Sequence, residues 1–272
     1  MKRFETICVL LYIFIVSMPV FAIGESFNRF SDDVEFMSNY IDIIVLSDSN
    51  GSAKVAVSAN LQGRVMTSTA EGDNGMSFGW INRDLLESEK TLEHINAYGG
   101  EDRFWFGPEG GQFSIFFKKG VPFDFEHWFT PACIDTEPFD LISKTQSQAV
   151  FKKTCQLVNY SGTAFDVNII RKINIINNEQ AAEFLEIDKP ENIQLVAFQS
   201  ENTMTNAGNK AWTKETGLLS IWILGMFNPS PGTTVVIPFK AGPEMKDTKP
   251  VNVYESFNTL SDDRLFVKDH IV

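Results

Sequence analysis

Apolar and polar residues alternate most cleanly over residues 165–176. Phe165, Val167, Ile169, Ile173 and Ile175 fall on one side, and Asp166, Asn168, Lys172 and Asn174 on the other. A period of two marks a half-buried strand. Arg171 interrupts the apolar set. It either pairs with a buried carboxylate or reaches into a concave surface, and pairing is favoured because a buried charge needs a partner. Ser161-Gly162 supplies the turn from a preceding strand, 149–158. Residues 40–46 and 53–58 flank the turn-rich stretch 47–52 and predict a hairpin, with a further strand over 62–69. Later strands are predicted over 193–202, 217–227 and 233–239, separated by turns at 206–209 and 229–232. The run 217–227 is almost wholly apolar and carries Trp222, which predicts a central strand covered on both faces. Helical patterns are few and short. Asn82 precedes one over 83–90 as a capping residue, and 178–185 reads as another. Residues 24–38 form a polar lead-in of little periodicity, and the aromatic-rich 121–131, bracketed by prolines, predicts a loop. Antiparallel strands with regular turns and no βαβ alternation predict an all-β sandwich with minor short helices.

The two ends change this picture. Met1-Lys2-Arg3, an apolar run over 7–20 and small residues at Val20 and Ala22 compose a secretory signal peptide, cleaved after Ala22. Residues 23–272 then form one domain, periplasmic or secreted, with no stable membrane insertion. The net charge of −12 argues against nucleic acid, whose readers carry a basic face. Export also bears on Cys133 and Cys155, which either bridge or remain as two buried thiols; spacing alone does not decide. There is no Cys-x-x-Cys and no histidine pair at ligand spacing, so neither a metal nor another cofactor is expected. Beyond Ala241 polarity rises, and only 264–267 resembles a strand.

The most unusual chemistry lies in residues 98–117. Two Gly-Gly pairs frame Glu101, Asp102, Arg103, Trp105 and Glu109. A guanidinium fork, a flat indole and carboxylate acceptors are the parts that hold a sugar ring, whose C–H faces stack and whose hydroxyls need paired partners. On an extended segment Arg103 and Trp105 share one side, with Phe104 and Phe106 on the other. The alternative is structural: Arg103 pairs with Asp102 or Glu101, and Trp105 fills a core. His127, between Glu126 and Trp128, is a candidate acid–base group with Glu109 or Glu201. Trp128, Arg171 and Trp212 complete the candidate substrate-binding set with Glu101, Asp102, Arg103 and Trp105.

Residues 99–109, Gly-Gly-Glu-Asp-Arg-Phe-Trp-Phe-Gly-Pro-Glu, resemble the Gly-Gly-x-x-Arg-x-Trp-x-x-Pro-Glu segment of the galactose mutarotase-like superfamily. The nearest likeness is to a family of secreted bacterial proteins of unknown function. Residues 62–69 and 206–239 fit the same family, so the resemblance spans most of 50–240. It implies a large antiparallel β-supersandwich and a carbohydrate ligand. Such folds usually continue beyond this point, so the C-terminus is expected to be truncated or to end in a degenerate edge. The sugar epimerases of the superfamily imply a late glutamate as base and histidines as acid and clamp. Here His94, His127 and His270 match no epimerase motif, and Glu244 and Glu255 lie in polar, loop-like surroundings. Three readings stand: a sugar epimerase or mutarotase, a non-catalytic carbohydrate-binding sandwich, and a structural or interaction protein of the cell envelope.

Overall fold

The computed structural model describes residues 28–188 and 192–238. The first element is helix α1, Phe30–Ser38, followed by the antiparallel strands β1, Ile44–Ser47, β2, Lys54–Ser58, and β3, Arg64–Thr69. Helix α2, Arg83–Ser88, precedes β4, Arg103–Gly107. Then come β5, Asp140–Lys144, β6, Gln148–Val158, and β7, Ala164–Ile175. Helix α3, Asn178–Leu185, leads to β8, Phe198–Asn206, and β9, Ser220–Leu224. Strands β5 to β8 form a four-stranded antiparallel sheet in chain order, while β4 pairs with β9.

The main core lies between these sheets. Leu46, Val55, Val57 and Val65 from the first meet Phe151, Phe165, Val167 and Ile169 from the four-stranded sheet, with Phe104 and Phe106 of β4 in the same cluster. β7 keeps the alternation read from its sequence. Phe165, Val167, Ile169 and Ile173 are buried, whereas Asp166 and Ile170 are exposed. The other face of β2 and β3 is covered as well. Ala56 and Met66 pack with Phe30 and Met37 of α1 and with Leu86 of α2. β3 is therefore buried at every position. The protein is all-β, built of antiparallel sheets with a few short helices.

Several expectations hold. Residues 40–58 do form a hairpin, with Ile44 opposite Val57. Asn82 caps α2, its side chain accepting from the Leu85 N–H at 3.1 Å. Residues 121–131 are a loop with one 3₁₀ turn, Phe125–His127. Helix α3 starts in a capping box, Asn177 and Gln180 each receiving the other's backbone N–H.

Other expectations are corrected. Residues 30–38 of the supposed lead-in are helical; the apolar residues that α1 packs on the sheet, Phe30, Val34, Phe36 and Met37, make too short a stripe to stand out. The strand expected over 193–202 begins at Phe198 and runs to Asn206. β9 is five residues long rather than eleven and pairs only with β4 among the described strands. Ile221 to Leu224 are half-buried, so the run is not covered on both faces. Residues 233–238 form no strand, and β5, all of whose residues are exposed, had no apolar pattern to reveal it. The expected signal peptide and the C-terminal stretch 264–267 lie outside the described residues.

Candidate functional site

The segment that carries the candidate chemistry is threaded through the middle of the molecule. Gly99 and Gly100 have positive φ angles of 90° and 102°. A Cβ on Gly99 would stand 2.1 Å from the Trp80 carbonyl oxygen, and one on Gly100 2.8 Å from that of Val65. Only glycine allows this approach, through which the Gly100 N–H donates to Trp80 and the Glu101 N–H to Val65. This first glycine pair serves packing. In the second, Gly110 and Gly111 have open space around them.

Past the glycines the side chains alternate. Asp102, Phe104 and Phe106 point toward the four-stranded sheet; Glu101, Arg103 and Trp105 point away. Phe104 and Phe106 meet edge to face at 4.9 Å, and the Arg103 guanidinium lies over the Trp105 ring at 4.2 Å. The predicted sidedness is the observed one. All of these residues are buried, however, and most are engaged by the protein. Glu101 accepts from the Ser68 N–H at 2.6 Å and from its hydroxyl at 2.8 Å. Asp102 pairs with Arg171 and accepts from the Ser200 hydroxyl at 2.8 Å. Arg171 also donates to the Gly63 carbonyl and to Asn202, so each of its nitrogens has a protein acceptor. Its pairing with a buried carboxylate is the alternative favoured from sequence.

Arg103 finds Asp135 at 2.8 Å, not Asp102 or Glu101. Asn96 completes Asp135's shell from its backbone N–H and side-chain amide, at 3.1 and 2.7 Å. Arg64 lies in the same cluster, donating to the Gly99 carbonyl and to Gln62. Burial and then the neighbouring Arg103 charge push the Arg64 pKa well down; burial lowers that of Arg103 too, against the pull of Asp135. Burial likewise raises the Glu101 carboxyl to about 7, despite the Ser68 hydrogen bonds that favour its ionised form.

From Trp105 an aromatic column leads to the surface. Trp105 donates its indole N–H to Glu109 at 2.7 Å and packs on Phe116 at 5.5 Å. Phe116 stacks on Trp128 at 5.0 Å with planes 11° apart, and Trp128 is nearly parallel to Phe125 at 6.4 Å. Phe125 is 66% exposed. His94 holds the column's outer end, its ring against Phe125 and Phe129 and its Nδ1 2.7 Å from the Trp128 carbonyl oxygen. His127 lies on the same loop, bonded through Nδ1 to Asp124 at 2.6 Å. That bond holds the Asp124 carboxyl below its usual range.

The structure thus ties Trp105 and Glu109 to one end of the column and Trp128 and His127 to the other, with Phe116 between them. Glu201 is elsewhere. It sits opposite Lys172 on the outer face of the four-stranded sheet, bonded to Lys172 at 2.7 Å and to Asn174. Trp212 packs edge-on against Phe165 at 5.5 Å, at the far end of β7. Asp124, Phe125, His94 and Asp135 are not among the candidate site residues that the sequence offers. The first two stood in the aromatic loop and had a local signal, since an Asp three residues before His127 caps a turn. Asp135 had none, because its tie to Arg103 is purely tertiary. Next to the column runs a groove of about 600 Å³ between residues 115–119, 129–133 and the 154–159 end of β6. Among the described residues no cluster of three His, Cys, Asp or Glu is placed to hold a metal ion, and no helix is long and apolar enough to cross a membrane.

Fold and site together define an antiparallel β-sandwich with a densely braced polar centre and an aromatic column opening on one loop. The chain belongs to the family of unknown function DUF6786, whose model matches residues 28–272. No curated protein and no solved structure matches it.

Proposed function

We propose that this is an exported carbohydrate-binding protein of galactose mutarotase-like fold. Its sugar lies on the loop 121–131, against Phe125 and Trp128 and beside the Asp124–His127 pair, with Glu109 at the Trp105 end of the column. The observation that carries this reading is the aromatic column: rings in succession from the buried Trp105, tilted 31° against Phe116, through the near-parallel Phe116, Trp128 and Phe125, the last 66% exposed. An exposed ring backed by rigid rings offers a stacking face at little entropic cost. Carboxylates and an imidazole at its rim supply the acceptors and donors that hydroxyls need. Glu101, Asp102 and Arg171 act in this reading as braces of the loop and strand, because the protein itself fills their hydrogen bonds; Arg103 is braced through Nη2 alone, which donates to Asp135, while its buried Nε and Nη1 have no acceptor among the described residues.

The test is titration of a panel of oligosaccharides followed by tryptophan fluorescence. Phe125→Ala should weaken the responding sugar about 3- to 10-fold, the worth of one aromatic contact, at nearly unchanged melting temperature. Unaltered affinity in both Phe125→Ala and Trp128→Ala would remove the loop as the site.

Mutarotation is the second reading, favoured by one feature, the 2.6 Å contact between His127 and Asp124, which orients an imidazole as an acid–base group needs. Anomer exchange that persists in His127→Gln at the wild-type rate would eliminate it.

A further inference from the structure

Cys133 and Cys155 come from distant parts of the chain. Cys133 lies in the 3₁₀ turn Ala132–Ile134 and is buried in the main core. Cys155 stands on β6 opposite Val167, is partly exposed and packs against the same core. Both are free thiols, both line the 600 Å³ groove, and both pack on the same core, close enough for each to shift the other's pKa. Lys118 and Lys119 line the same groove. Glu137 lines it too, but its charge is answered by Lys153 at 2.6 Å, two residues from Cys155, which leaves Lys118 and Lys119 in excess. In a chain of net charge −12, this is a local concentration of cations.

We propose that the Cys133–Cys155 pair is a thiol–disulfide exchange site, reached through the groove by small disulfides that carry carboxylates. Cys155 is the attacking thiol. It is the more exposed of the two, and the neighbouring Cys133 thiol, assisted by the Lys153 charge, lowers its pKa against the effect of burial. Cys133 is held protonated, first by the Cys155 thiol and then by burial. The Cys155 thiolate attacks one sulfur of R–S–S–R, forms a mixed disulfide and expels one thiolate R–S⁻. Cys133 then loses its proton to solvent and attacks Sγ of Cys155, expelling the second R–S⁻. The protein is oxidised by two electrons to the Cys133–Cys155 disulfide, and the small disulfide is reduced to two thiols. The new bond ties the turn 132–134 to β6 across the floor of the groove. This inference is independent of sugar binding.

The experiment takes the full chain, reduced and desalted, and exposes it to oxidised glutathione under native conditions. Peptide mapping then assigns each of the three cysteines, Cys8 being read separately. Wild type should form the Cys133–Cys155 bridge without retaining glutathione on either residue. Dithiothreitol should reverse this, and the melting temperature of the oxidised form should lie higher by about 5–10 °C. Cys133→Ser should retain one glutathione on Cys155. In Cys155→Ser, Cys133 should stay unmodified while the protein is folded. At low ionic strength oxidised glutathione should react several-fold faster than the neutral hydroxyethyl disulfide, a preference that salt erases. Two free thiols after incubation, a separate glutathione on each, or equal reactivity of Cys133 and Cys155 in the single variants would overturn the exchange site. Equal rates for the two disulfides would overturn the preference for carboxylates.

Discussion

Glu101 and Arg103 stand two residues apart on one side of the same segment, and burial acts on each differently. Glu101 has no cationic partner among the described residues; its acceptors are filled by Ser68, and its pKa rises from 4.5 to about 7. Because the native value lies above the unfolded one, the folded protein holds this proton more tightly between those pH values. The stability contributed by the neutral carboxyl is present below pH 4.5 and is lost as pH rises to 7, a loss of about 3 kcal/mol. Urea unfolding from pH 5 to 8 should show that decline, and Glu101→Gln should flatten it. A slope unchanged by the substitution would show that Glu101 is not its source. Arg103 has its charge answered by Asp135, both side chains being almost wholly buried. Arg103→Ala leaves Asp135, among the described residues, with the Asn96 donors alone, and should cost about 3–5 kcal/mol. A drop of that size in the unfolding free energy marks Arg103 as a brace; full stability would return it to the list of ligand contacts.

At the scale of elements, the role of α1 is to close the back of the first sheet. Ala56 and Met66 face away from the main core, and without the helix they would meet water. Met37 is completely buried on the helix face that covers them. Met37→Ala should therefore cost about 2–5 kcal/mol, measured by denaturant unfolding, although it lies far from any candidate ligand. The turn at Gly99 is as demanding. With its φ of 90° and the Trp80 carbonyl 2.1 Å from any Cβ, Gly99→Ala should lower stability by more than the about 1–3 kcal/mol typical of overpacking. The Gly99 turn carries β4 into the centre, and β4 in turn aims Trp105 at the column.

For the whole molecule, export is the widest proposal, and its measurement is simple. Intact mass of the protein recovered outside the cytoplasm should give Ile23 as the first residue, and retention of residues 1–22 would refute the cleaved signal. The sequence by itself determined the all-β class, the hairpin over 40–58, the long pair β6–β7, the cap of α2, the helix α3, and the side-by-side setting of Arg103 and Trp105. Each of these depends on residues close along the chain: a period of two, a turn composition, an Asn at a helix start. Only the tertiary structure decided that Arg103 pairs with Asp135, that Glu201 lies on the outer face while His127 nears the Trp105 column, and that Cys133 meets Cys155. It also decided the short reach of β9, whose apolar run promised a central strand but which has a partner on one edge alone among the described strands. The physical reason is the same in each case. Periodicity records which face of an element is buried, whereas the identity of what buries it depends on how distant segments pack, and neither spacing nor composition encodes that.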